Sequence, residues 1–318
     1  MVRLTLHAMT GCALTFIWIV SAAAAIEGDV RERTEALISG KLDPQTFDYG
    51  AIRFAEDQSA AWEALGALDN HAQSLVPEKY KRSSRRLGLD ELGCEFGAIS
   101  LGLINAKLAP DANAYSAAAE RARDLLDQTR RLERADIEAL DSNGPIGIEK
   151  KLRILALRDE IWRTPMSQIL SAQGYEKQFL ANAWSVQLCA IDKQNAHELR
   201  EIIKLNGWPL ISTHGAQAAH DAWLVAQHSD LELQEAVLRT IKPLLAIKEV
   251  APRHYAYLAD RVALKKTGKQ RFGTQMECAQ GRLVLAPLET PSLLAQRRRE
   301  IGLSSALHEK SMDEEAQC

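Results

Sequence analysis

Several familiar chemistries have no signature in this chain. There is no H-E-x-x-H zinc helix, no G-x-S-x-G nucleophile elbow and no Walker or Rossmann glycine pattern. Cysteine is sparse, at Cys12, Cys94, Cys189, Cys278 and Cys318, and no two stand in the C-x-x-C spacing of zinc or redox sites. Runs of β-branched residues are scarce too, which argues against a sandwich or barrel and leaves helical periodicity as the dominant pattern. Beyond the first 25 residues no stretch is apolar enough to span a bilayer. The formal charge of −3 is ordinary for 318 residues.

The chain start reads differently from the rest. Arg3 precedes an apolar run from Ala8 to Val20, and Ser21 to Ala25 supply small residues of the A-x-A type, with Ala23 and Ala25 as the recognition pair. That pattern predicts a signal peptide over 1–25 and an exported protein, periplasmic or extracellular. The alternative is an uncleaved N-terminal anchor, because Ala8 to Ile26 approaches the roughly 17–25 residues a span requires. Cleavage leaves a chain that does not span the membrane and four cysteines, which allow three disulfide pairings or remain as buried thiols.

Breaker clusters divide the remainder. Helices are expected at 51–75, 89–106, 112–140, 147–162, 174–205, 213–228, 231–246, 252–266 and 292–301. Residues 270–286 break the pattern as a small β-hairpin around Ala279-Gln280-Gly281. Asp141-Ser142-Asn143-Gly144-Pro145 is the strongest interruption and marks the expected boundary. The reading is mainly α: a multi-helical N-terminal region at 26–145, a C-terminal helical domain with one hairpin at 146–308, and a tail at 309–318. No segment recurs at a fixed period, so a repeat architecture is not supported.

Short polar signatures cluster in the last third: Gly207-Trp208-Pro209, Gln227-His228-Ser229-Asp230, Tyr257-Leu258-Ala259-Asp260-Arg261 and Phe272-Gly273-Thr274-Gln275. On helix 213–228 the residues His214, Gln217, Asp221 and His228 share the face opposite an apolar arc. His214 and His228 stand about 21 Å apart and Asp221 about 10 Å from each along the axis, so the helix alone makes neither a metal site nor a His–Asp pair. No metal or cofactor is expected. Ser229 with Glu232 has the form of a capping box. Asp260 falls among apolar neighbours, where a carboxylate needs a partner or a shifted pKa; Arg253, Arg261 and Arg271 are the candidates. Residues 237–275 hold nine Lys or Arg against Glu249 and Asp260, a local balance of +7. Such a surface suits an anionic envelope component or merely solubility, whereas nucleic acid is a poor partner for an exported protein.

Taken in order, the signatures resemble an uncharacterised bacterial family, a domain of unknown function. Its pattern runs from an Asp-Gln-x-x-Arg-like helix through Asp-x-x-Asn, Gly-Trp-Pro, Gln-His-Ala-Asp and Tyr-Leu-x-Asp-Arg-Val to Arg-Tyr-Gly-Thr-Gln. The matching residues are Asp159 to Arg163, Asp192 and Asn195, Gly207 to Pro209, Gln227 to Asp230, Tyr257 to Val262, and Arg271 to Gln275. Arg297-Arg298 and Gly302-Leu303 continue the match, so the likeness spans about 150–308. Glu160, Ser229 and Phe272 depart from the pattern, and Phe272 lacks any role that a tyrosine hydroxyl would have. The resemblance implies a mostly helical bacterial domain and brings no activity with it.

The leading expectation is a ligand-binding or interaction module of the cell envelope, taking an unknown small molecule or envelope component. Its pocket is expected between helices 213–228 and 252–266 and the hairpin. Gln227, His228, Asp260, Arg261 and Gln275 would supply polar contacts, and Trp208 an aromatic wall. The alternative is a hydrolase-type enzyme with His228 as general base and Asp260 or Asp230 as its carboxylate partner.

Overall fold

The computed structural model describes residues 29–81, 88–141, 147–280 and 282–304. The leading segment 1–25, the break at 142–145 and Cys318 lie outside the described residues. The fold is mainly α with one two-stranded antiparallel sheet.

The chain opens with α1 (Val30–Ile38), α2 (Tyr49–Arg53) and α3 (Gln58–Leu75). The single helix expected from residue 51 is interrupted because Asp48 and Asp57 each start a new one. Their side chains accept the amides of Ala51 at 3.1 Å and Ala60 at 3.0 Å. Helices α4 (Leu89–Leu92) and α5 (Cys94–Leu108) are likewise separate, divided by Gly93 at φ 102°. Then come α6 (Ala112–Asp141), α7 (Ile148–Arg163), the short α8 (Met166–Ser171) and the long α9 (Gly174–Asn206). Gly207 ends α9 as expected, its amide bonded to the Ile203 carbonyl at 2.8 Å.

Helix α10 (Ile211–Gln227) is followed after three residues by α11 (Leu231–Ile241) and, beyond a 3₁₀ turn, by α12 (Pro252–Thr267). The cap of α11 is Asp230, which accepts the Leu233 amide at 2.9 Å; Ser229 instead turns its hydroxyl back to the Val225 carbonyl. Strands β1 (Met276–Ala279) and β2 (Arg282–Leu285) form the expected hairpin, with Met276 opposite Leu285, and α13 (Leu294–Glu300) closes the described chain.

Two apolar cores share helices. The first joins α2, α3, α5 and α6 to the end of α7 and the first half of α9, through Ile52, Leu65, Leu68, Ile99, Leu103, Trp162 and Trp184. The second joins the start of α7 and the second half of α9 to α10, α11 and α12, through Leu152, Leu155, Leu199, Val225, Ile241 and Leu258. Burying each such aliphatic side chain contributes about 1.5–3 kcal/mol. Because α7 and α9 run through both cores, groups at their middles are held on two sides. At Gly50 the first core admits no side chain, since a Cβ there would run into the Tyr115 ring. A disulfide joins Cys94, at the start of α5, to Cys189 on α9, and Cys278 is disulfide-bonded as well.

Candidate functional site

A cleft of about 550 Å³ opens where the α4–α5 corner faces the middle of α9, the α10–α11 junction and α12. It is lined by Leu89, Leu92 and Cys94 on one side, by Ser185, Leu188, Asp192 and Lys193 from α9, and by Gln227 to Asp230, Arg261 and Lys265 on the other. Its position differs from the expected pocket: α12 contributes, but the hairpin does not.

His228 is the residue around which the cleft is organised. It terminates α10, its amide bonded to the Val225 carbonyl, and so leaves the helix with its ring turned toward α7. There Nδ1 lies 2.8 and 3.0 Å from the two carboxylate oxygens of Asp159. An ionised carboxylate can only accept, so Nδ1 carries a hydrogen, and in the neutral ring that leaves the lone pair on Nε2. Nε2 has no hydrogen-bond partner among the described residues.

Asp159 is fixed in turn. It is 1% exposed and accepts from Arg163, one helical turn on, at 2.7 Å. The other end of that guanidinium donates to Asp192 on α9 at 2.7 Å. Burial pushes the Asp192 carboxyl above its ordinary value, while the charges of Arg163 and His228 pull it back. The result is a continuous chain His228–Asp159–Arg163–Asp192 across three helices.

The other expected site residues separate. Gln227 and Arg261 do meet in the cleft, where Arg261 Nε donates to Gln227 Oε1 at 3.1 Å. Asp230 lines it too, but its carboxylate is occupied by the α11 cap and by Arg200 at 2.5 Å. Burial raises its pKa, yet the Arg200 and Leu233 bonds outweigh that and hold it below the usual carboxylate range.

Asp260 lies outside the cleft lining and is 0% exposed. Among the described residues no arginine side chain takes it. It accepts the amides of Arg271, Phe272 and Thr274 at 2.7, 2.8 and 3.0 Å and the Thr274 hydroxyl at 2.9 Å. Burial raises its pKa against the pull of those four bonds. Its place is that of a clamp on the loop leading into β1. Gln275 belongs to the same clamp, held by Gln270, Thr274 and Tyr257. Trp208 is buried in the second core and lines no part of the cleft.

The shared face expected on helix 213–228 also resolves differently. His214 pairs with Glu149 at 2.7 Å, and that bond holds the Glu149 carboxyl below its usual value. Asp221 is fully buried against α7, accepting from Arg153 at 3.1 Å and Gln217 at 2.8 Å. Among the described residues no group of three His, Cys, Asp or Glu could hold a metal ion.

Sequence reasoning singled out His228, Gln227 and Arg261 but assigned no role to Asp159, Arg163, Asp192, Lys193 or Lys265. The signal for three of these was present in the family-like motifs, which now divide into two sets. Asp159, Arg163, Asp192, Gln227, His228 and Arg261 meet around the cleft. Trp208, Asn195, Asp260, the 271–275 loop and Arg298, which donates to the Phe272 carbonyl at 2.7 Å, brace the fold.

No curated protein and no solved structure matches the chain. A family model does, over residues 155–316, from within α7 to beyond the described residues. That stretch contains every member of the His228–Asp159–Arg163–Asp192 chain and covers half of the sequence, so the protein belongs to the family of unknown function DUF6624.

Proposed function

We propose that the cleft is the active site of a hydrolase-type enzyme in which His228 acts as general base. One observation carries the reading: His228 Nδ1 is bonded to the buried carboxylate of Asp159, while Nε2 is unpartnered in a residue that lines a cleft. Asp159 selects the tautomer, aims the ring and stabilises the imidazolium that proton abstraction creates. It takes the partner role that the sequence pointed toward Asp260 or Asp230. Water is the nucleophile that suits the lining, because Ser229 and Ser185 both commit their hydroxyls to carbonyls of their own helices. Asp192 uses one oxygen on Arg163 and remains about a quarter exposed, so the neighbouring acid can exchange a proton with a leaving group.

An exported address is part of the proposal. The apolar start of the chain supports it, and so does the Cys94–Cys189 disulfide, since such bonds persist in oxidising compartments.

The test is turnover of a panel of small ester, amide and phosphate-ester substrates by the wild type and His228→Asn. Loss of general-base catalysis costs about 10²–10⁴-fold in rate. The expected result is a drop of that size with an unchanged melting temperature. A cleft that binds without turning over gives no hydrolysis in either protein, and equal rates for both would sink the role of His228.

A further inference from the structure

Resting on that reading of the cleft, we infer that Gln227 and Gln234 recognise a neutral amide, so that the substrate is an aliphatic molecule carrying a carbonyl and an adjoining N–H. The first support is a pair of unmet polar atoms in one place. Gln227 is 3% exposed and Gln234 1%, and both line the cleft. Gln227 Nε2 and Gln234 Oε1 have no hydrogen-bond partner among the described residues. One is a donor and the other an acceptor, yet they do not bond to each other. Buried polar groups left in this way are costly, and a ligand that answers both removes the cost.

The second support is that neither side-chain amide can be turned round. Gln234 Nε2 spends both its hydrogens, on the Gln227 carbonyl at 2.9 Å and the Ser229 carbonyl at 2.8 Å. Reversal would set its oxygen against two carbonyl oxygens. Gln227 Oε1 accepts the Arg261 Nε hydrogen at 3.1 Å, and reversal there would bring two donors together. The site therefore offers one N–H and one oxygen of fixed identity. A carboxylate can accept from the first but brings no hydrogen for the second, and an ammonium fails in the opposite sense. An amide with an N–H supplies both.

The third support is position. Gln227 and Ser229 flank His228, and Gln234 is bonded to both their carbonyls, so the two unmet atoms belong to the turn that carries the base. Pro77, Leu89, Leu92, Leu188 and Ala196 give the cleft an aliphatic side, and its described lining includes no Phe, Tyr or Trp. An aliphatic substituent suits that side, whereas the many hydroxyls of a sugar would lie against carbon and an aromatic ring would find no stacking surface.

Ligand-observed NMR titration of the full, disulfide-bonded chain tests this with isobutyramide, N-methylisobutyramide, methyl isopropyl ketone and isobutanol. The ketone has the shape of isobutyramide with a methyl group in place of the nitrogen. The expected result is saturable binding of at least one amide, with the ketone and the alcohol each weaker by about tenfold or more. The tighter amide decides between a terminal carboxamide and an amide within a chain. Gln227→Glu keeps the oxygen that meets Arg261 and removes the N–H, so its affinity for that amide should also fall by about tenfold or more. Circular dichroism checks its folding, and the ligand series in the wild type stands should the variant unfold. Absence of amide binding overturns the inference, and so does a ketone or alcohol that binds as tightly as the amides. A folded Gln227→Glu with unchanged amide affinity overturns it too. Selective amide binding in a protein that hydrolyses no substrate keeps this inference and sinks the reaction. Hydrolysis of an ester that is lost in His228→Asn, with neither amide bound, does the opposite.

Discussion

Two charged clusters join α7 to α10, built from the same residue types and put to different use. In one, Arg153 on α7 meets Asp221 on α10, beside His220, His254 and Trp223. In the other, Asp159 and Arg163 on α7 meet His228 at the end of α10. The first is closed. Asp221 is fully buried with one oxygen unpartnered, and His254 is stacked on Trp223 at 4.3 Å between centroids. Burial, with the nearby His220 and Arg253, pushes the His254 pKa down to about 3, so its ring is neutral. The second opens on the cleft, where His228 is about a fifth exposed. A histidine beside a carboxylate is thus not a site by composition. It becomes one when a ring nitrogen with its lone pair faces a space that a substrate can enter.

The strongest way to break this contrast is to remove each aspartate's charge. Asp159→Asn should lower turnover by about 10²–10⁴-fold, because the amide offers His228 the wrong tautomer. Asp221→Asn should leave turnover within about twofold, since its cluster lines no part of the cleft. Parallel kinetics on the two variants decide it, and equal losses would erase the distinction between the clusters.

Next in size is the comparison of the cleft with its bracing. Asp260→Ala leaves three loop amides and the Thr274 hydroxyl without their acceptor, at about 1–3 kcal/mol for each group that stays dry. A loss of about 3–5 kcal/mol in chemical denaturation is expected, with rate per folded molecule preserved. Reduced turnover in a variant of wild-type stability would instead make Asp260 a member of the site. Cys94→Ser tests the other wall, by opening a disulfide that spans 95 residues. Removing such a link costs about 2–5 kcal/mol, and chemical denaturation of the oxidised variant beside the oxidised wild type should show a loss of that size, an unchanged stability contradicting it.

The most gradual effect, spread over several pH units, distinguishes the two histidine environments. His254 carries a folded-state pKa of about 3 against an ordinary 6.5. The unfolded chain therefore binds more protons between those values, and stability rises with pH across that window. Acidification from pH 6.5 should cost up to about 1.4 kcal/mol per unit from this group. His254→Gln should flatten that part of the stability profile, and an unchanged slope would show that the ring is not held neutral.

Much of this architecture was legible from residue order. Helical periodicity, the Gly207 stop, Pro252 in a first turn and the hairpin at 276–285 are local properties, and local energies settle them. The capping of α11 was misread by one residue because Ser229 and Asp230 are both good caps and only their rotamers choose between them. Asp260 looked like an acid in need of an arginine, yet its partners are backbone amides, which every residue carries and no pattern reveals.

By itself the sequence determined the helical class, the family membership and the identity of His228, Gln227 and Arg261 as residues to test. Only the tertiary structure decided which carboxylate serves His228. Asp159 is 69 residues away along the chain, on a helix that periodicity placed correctly but could not aim. That partnership depends on how α7 and α10 pack, and packing is fixed by shape over two shared cores rather than by any spacing in the sequence.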